Sequence, residues 1–137
     1  MTADRMPEII PIFPLTGALL LPFGQLPLNI FEPRYIALTE DALGAGRLMG
    51  LVQPVDAGSK NNNGANDIYN TGCLGRITEF TDPGDGRYEI VLTGICRFMV
   101  EDELDLHRGY RRITANYSPF LGDLESDEPD IQNRDSL

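Results

Sequence analysis

The sequence predicts a mainly β domain of the α+β class, a small barrel of about six short strands with one helix near residues 33–43, and three observations carry that reading. Fourteen glycines and ten prolines in 137 residues punctuate the chain too often for long helices. Several runs alternate apolar and polar residues with the two-residue period of half-buried strands, most clearly from Tyr88 to Val100. Helical spacing is sustained only after Pro33, where Tyr35, Leu38 and Ala42 share a face that Ile36 and Leu43 broaden.

The elements follow in order. Glu8 to Leu15 contains the β-favouring run Ile9-Ile10-Pro11-Ile12-Phe13, and its prolines, each lacking a ladder donor, place it at a sheet edge. Thr16-Gly17 ends that run, Ala18 to Leu21 is apolar, Pro22-Phe23-Gly24 turns the chain, and Leu26 to Phe31 extends again. Glu32-Pro33-Arg34-Tyr35 reads as a helix start, since proline at the first helical position has a suitable φ and lacks only a donor that would be unpaired anyway, and Gly44 stops the helix. Arg47 to Gln53 is a compact apolar strand closed by Pro54. Asp56 to Asp67 has almost nothing to bury and predicts a mobile loop. Cys73 to Thr81 and Arg87 to Val100 are two strands joined through Asp82-Pro83-Gly84-Asp85-Gly86. Glu101 to His107 is an acidic connector with room for one helical turn, and Tyr110 to Tyr117 alternates as a last strand. This divides the chain into an N-terminal tail (1–7), one β domain (8–120) and an acidic flexible tail (121–137) at the possible start of a truncated helical subdomain.

Composition narrows the function classes. With 42% hydrophobic and 23% charged residues the chain is globular, and 21 acidic against 11 basic residues give a formal charge of -10. That charge repels phosphate backbones and anionic lipid, so neither nucleic acid nor membrane is an expected partner. Lys60 is the single lysine, and arginine suits fixed carboxylate pairing better than a diffuse charged coat. Two cysteines, Cys73 and Cys96, do not make a disulfide scaffold, and no signal-like apolar start or membrane-length run occurs. A reduced cytoplasmic setting fits, which makes Asn116-Tyr117-Ser118 a chance glycosylation match.

No catalytic residue, metal ligand set or cofactor site emerges. The lone histidine, His107, lies in a polar connector and cannot form a histidine cluster. The cysteines read as buried core thiols, with a redox switch as the lesser alternative. Gly44 to Gly50 lacks dinucleotide-fingerprint spacing, and no Gly-Lys-Ser/Thr occurs. Gly72-Cys73-Leu74-Gly75 looks like the glycine loop of an RNA-clamping module but reads better as a structural turn. Ser59-Lys60 sits where nothing fixes a nucleophile against a base, and Glu101-Asp102-Glu103 and Asp127-Glu128 lie in solvated acidic stretches where no burial raises a carboxyl pKa.

One motif set remains. Pro11 to Leu15, Leu20-Leu21-Pro22-Phe23-Gly24, and Leu26 to Ile30 running into Phe31-Glu32-Pro33-Arg34-Tyr35 resemble the opening of the Lon protease N-terminal, substrate-binding domain, which cereblon and small stand-alone bacterial proteins share. Gly72 to Ile77, with Gly75 and Arg76, resembles the family's glycine-bearing strand, and Leu92 to Phe98, with Arg97 and Phe98, its arginine-aromatic strand. The resemblance implies a PUA-like pseudobarrel, a helical subdomain after it, and a non-catalytic role in engaging unfolded or tagged polypeptides for protein quality control. Lon's ATPase and protease domains lie outside the resemblance.

Two sets of site residues follow. Leu20, Leu21, Phe23, Leu26 and Leu28 are more apolar than one loop usually exposes; they either form a shallow peptide groove or pack into the core. Phe31, Glu32, Pro33, Arg34, Tyr35, Gly75, Arg76, Arg97 and Phe98 are expected to maintain the fold, Arg34 by tying a carboxylate or carbonyls near the helix start. The expected partners are polypeptide substrates or a protein partner. The alternative is an assembly module that docks a partner or itself through the edge near Ile9 to Phe13.

Overall fold

The structure, a computed structural model, describes residues 6–55, 60 and 65–125. Its elements run β1 (Ile9–Pro14), β2 (Gln25–Ile30), α1 (Pro33–Leu43), β3 (Leu48–Val52), β4 (Thr71–Thr81), β5 (Tyr88–Glu103) and β6 (Arg111–Asn116), followed by 3-10 turns over Ser118–Glu125 that kink at Phe120. The mainly β architecture with one α-helix at 33–43 is as expected. The sheet order is β2-β5-β4-β3-β1-β6, and β6 returns to β5, so all strands but β2 close a ring. Closure depends on the 16-residue β5. Along one edge its first part pairs with β2, Tyr88 opposite Ile30, and its last part with β6, Glu103 opposite Ile113; β4 takes the other edge.

Residue period explains where the core sits. β3 is buried on both faces because Leu48 and Val52 point into the barrel with Ile10, Ile12, Leu74, Phe98 and Ile113, while Met49 and Leu51 point outward beneath Tyr35, Leu38 and Ala42 of α1. Phe98 is the largest side chain fully inside. Its ring is seated by glycine: a Cβ on Gly50 would lie 2.9 Å from it and one on Gly72 only 2.6 Å, so neither position tolerates a side chain without repacking.

The helix begins where Glu32, extended at φ -73°, accepts the N–H groups of Tyr35 and Ile36 at its carbonyl, both at 2.9 Å. Its far end is tied to the barrel by polar contacts. The Tyr88 hydroxyl donates to Glu40 at 2.8 Å, the Tyr110 hydroxyl to Asp41 at 2.7 Å, and Arg108 bridges both carboxylates. Gly44 ends α1 in a right-handed conformation, and the left-handed turn falls to Gly46 and Arg47.

Several expectations are corrected. β1 is no sheet edge: it pairs with β3 through residues 12–14 and with β6 through 9–12. Pro11 is tolerated because the β3 pairing begins only after it, so no ladder bond is lost there. The acidic connector is shorter than expected, since β5 continues to Glu103, and His107 to Tyr110 forms a tight turn with Arg108 and Gly109 both at positive φ. Gly72 to Gly75 lies within β4 rather than in a turn. The packed unit extends beyond 8–120: Met6 is buried, and Asp123 is buried against β5. Most of the loop expected over 56–67 and the tail from 126 lie outside the described residues.

Candidate functional site

The segment between β1 and β2 is held by backbone contacts more than by its side chains. Leu15 N–H donates to the Val52 carbonyl at 3.0 Å, and the Gln53 amide donates to the Ala18 carbonyl at 2.9 Å. Leu21 to Gly24 then forms a turn closed by Gly24 N–H to the Leu21 carbonyl at 2.9 Å, with Pro22 at its second position and Phe23 at φ 67° in the third. That is type II geometry, in which the third residue is ordinarily glycine. The turn lies on Gly94 of β5, which accepts from Phe23 N–H at 2.9 Å and donates to the Gly24 carbonyl at 2.8 Å. A Cβ on Gly94 would sit 2.1 Å from the Leu21 carbonyl oxygen. Glycine is therefore required for the loop to dock.

Docking fixes which side chains face out. Leu20 is 5% exposed and packs against Gly75 and Gly94, so it belongs to the core and not to a binding surface. Its neighbours Leu19, Leu21 and Phe23 are 68%, 53% and 45% exposed. Leu26 and Leu28 are half-buried on the inner face of β2, packed against the α1 core. The five residues expected to form one groove are thus divided by the two-residue period of the backbone.

A groove of about 330 Å³ opens where β1 ends, β2 ends and α1 begins. Phe13 and Tyr35 form part of its lining, their rings stacked at 4.3 Å and 12°. Leu15, Pro27, Leu28 and Phe31 add apolar wall, while Asn29, Glu32 and Arg34 supply a polar rim. Phe31 is 64% exposed. Its expected role in the fold is not what the packing shows, since Ile30 takes the inward position and Phe31 the outward one. Arg34 donates to Glu32 at 3.0 Å and lies over the Tyr35 ring at 4.8 Å, so Phe31 to Tyr35 builds one wall of this groove. Leu19 bounds the apolar loop read from the sequence but was not among its site residues, and Phe31 was missed as a surface residue, although the inward alternation of Leu26, Leu28 and Ile30 already puts Phe31 on the outward parity.

The remaining motif residues have structural surroundings. Gly75 makes room for Leu20, and Arg76 donates to the Gly46 carbonyl at 3.1 Å. Arg97 donates its backbone N–H and both arms of its guanidinium to Asp123 at 2.9–3.0 Å and stacks over Phe120 at 4.7 Å. These contacts hold the 3-10 turns in the gap between β2 and β6. The Arg97 hydrogen bonds keep the Asp123 carboxyl below its ordinary range despite burial. Cys73 and Cys96 are buried free thiols, and burial pushes them up to about 12 and about 11, which suits core residues and not reactive ones. His107 is exposed, 3.8 Å from Asp41. Among the described residues no group of histidine, cysteine or carboxylate side chains could hold a metal ion, and no helix is long and apolar enough to cross a membrane.

Comparison with known proteins matches residues 9–136 to the ATP-dependent protease La (LON) substrate-binding domain. The chain is 34% identical over 97 residues to Lon protease 2 of Myxococcus xanthus, covering 71% of this chain and 12% of that protein. It is 29% identical over 119 residues to the Lon protease of Desulfosudis oleivorans, covering 84% and 15%. It thus spans under a sixth of the length of these relatives. Among solved structures, a Lon N-terminal domain protein from Xanthomonas campestris superposes with TM-score 0.64 at 28% identity, covering 80% of this chain and 59% of that one. The N-terminal domain of a Mycobacterium avium complex Lon protease, at TM-score 0.61 and 12% identity over 80% and 54%, shares the fold.

Proposed function

The chain belongs to the Lon substrate-binding domain family, and from that premise we propose that it binds exposed apolar segments of unfolded polypeptides without catalysing a reaction itself. The 137 residues correspond to the substrate-binding part alone, so the ATPase and protease activities of Lon have no seat in them. The observation that carries the proposal is the groove of about 330 Å³ beside Phe31, together with Leu19, Leu21 and Phe23 standing out of a loop whose backbone is pinned. Apolar side chains held outward by a rigid backbone lose little entropy on binding, which is what a weak, general reader of unfolded chain requires. A cytoplasmic role in protein quality control, upstream of a protease, is the setting this proposes.

Fluorescence anisotropy of the domain with a permanently unfolded, carboxymethylated protein tests it. Phe31→Ser removes a ring whose burial contributes about 1–2 kcal/mol, so affinity should fall close to tenfold. Leu21→Ser should weaken binding less. Retention no greater than that of an unrelated protein of equal negative charge overturns the proposal.

A further inference from the structure

The edge that β1 does not provide is found on β2. Among the described residues β2 is hydrogen-bonded only to β5, and its parity is fixed by two facts: Gly24 accepts from Gly94 of β5, and Pro27 has no N–H to give. Even-numbered residues therefore face β5 with their backbone groups, and odd-numbered residues face away. This leaves the N–H groups of Gln25 and Asn29 and the carbonyls of Gln25, Pro27 and Asn29 along an open edge, used by no hydrogen bond among the described residues. Such an edge is a template for another strand.

The two faces beside that edge differ in chemistry. On the inner face, to which Leu26, Leu28 and Ile30 point, lies the apolar groove of Phe13, Leu15, Phe31 and Tyr35. On the outer face a second hollow of about 320 Å³ is lined by Pro27, Asn29, Val91 and Thr81 with the carboxylates of Glu79 and Glu89. Asn29 pairs with Glu89 and Pro27 with Val91, and Val91 pairs in turn with Glu79. Neither carboxylate has an ion-pair partner among the described residues. The two hollows share Pro27, Leu28 and Asn29.

Resting on the polypeptide-binding reading above, we propose that the ligand adds as an extended strand along β2, and that the preferred segment alternates apolar and basic residues. Successive side chains of an added strand fall on opposite faces, so every second one enters the apolar groove and the others lie over the Glu79 and Glu89 hollow. A lysine or arginine crossing Asn29 reaches Glu89. A second copy of this chain fits the edge poorly, since each copy carries a formal charge of -10.

The test uses fluorescein-labelled nine-residue peptides and the unaltered 137-residue chain. A Val-Lys alternating peptide should bind more tightly than Val-Thr, and Val-Glu least; a block peptide of the same Val and Lys composition should bind about tenfold more weakly than the alternating one. N-methylation of every second amide should abolish binding in the register facing β2 and leave it intact in the other. Glu89→Gln, and the E79Q/E89Q pair, should bring Val-Lys down to the Val-Thr level while leaving Val-Thr unchanged. Equal tolerance of both methylation registers overturns strand addition, and insensitivity to E79Q/E89Q overturns the preference for basic residues, even if Phe31→Ser still weakens binding of the unfolded protein. Binding of no peptide and no unfolded protein overturns the underlying reading. Concentration-dependent dimers that the Val-Lys peptide does not dissociate would assign the edge to a second copy and overturn the proposal.

Discussion

Two residues of the Leu21 to Gly94 contact separate stability from binding. Phe23 holds φ 67° at the turn position where glycine is ordinarily required, a conformation that costs a bulky residue about 1–2 kcal/mol, yet its ring is 45% exposed and returns little packing. Phe23→Gly relieves that strain and removes a surface ring. The expected outcome is an unchanged or slightly raised urea midpoint with weaker binding of unfolded protein; a clear loss of stability would mean that the ring supports the fold. Gly94→Ala is the converse. Its Cβ would meet the Leu21 carbonyl at 2.1 Å, a backbone atom with no rotamer to change, so the loop must lift from β5 and give up two hydrogen bonds. A loss of about 2–3 kcal/mol in denaturant unfolding is expected, with binding lowered through the displaced loop. The sequence shows Gly94 only as a glycine inside a strand pattern. Its partner is 73 positions away along the chain and invisible to local period.

At the scale of elements, the 3-10 turns over Ser118–Glu125 close a gap that the strands leave open. β5 pairs with β2 up to Thr93 and with β6 from Met99, and between them the N–H of Arg97 would face no acceptor without Asp123. Because the Asp123 carboxyl is lowered from 3.8, chiefly by the Arg97 side-chain hydrogen bonds, the charged form is favoured by folding. Its stabilisation is complete above that ordinary value and lost as pH falls through the lower, folded one. Asp41, lowered first by the Tyr110 hydroxyl and then by Arg108, contributes on the same acid limb. Asp123→Asn should lower Tm by a few degrees at neutral pH and make the acid loss of stability shallower without removing it. A pH profile parallel to that of the parent would refute the assignment. Period and punctuation located every strand and the helix, yet they placed Asp123 in a flexible tail. An acidic segment reads as solvated until the one arginine that needs it is known, and that pairing is long-range.

At the scale of the whole molecule, the described residues form two apolar clusters from one shared set of strands. β3 contributes alternate residues to each, and β5 supplies Ile90 and Leu92 to the cluster under α1 and Cys96 and Phe98 to the barrel interior. The apolar period of β5 was legible in the sequence, whereas the division of its residues between two cores was not. That division follows from ring closure, which depends on β6 returning to β5, and from the register shift between Leu74 and Gly75 in β4. The same non-local information decided the edge: prolines placed it at β1 in the sequence, and only the pairing of β1 with both β3 and β6 moves it to β2. Sharing strands should also make the two clusters unfold together, and the cysteines report on this because each lies in a different one: Cys73 in the α1 cluster and Cys96 in the barrel. Both thiols are buried, and a thiol must reach solvent and ionise before it attacks a disulfide reagent. In native buffer both should resist labelling. With rising urea the two should become reactive at one midpoint that coincides with the loss of β-sheet circular dichroism. Labelling of Cys96 well before Cys73 would instead mean that the Ser118–Glu125 segment opens on its own, since the Cys96 sulfur lies against the Phe120 carbonyl at 3.5 Å and that segment is its cover.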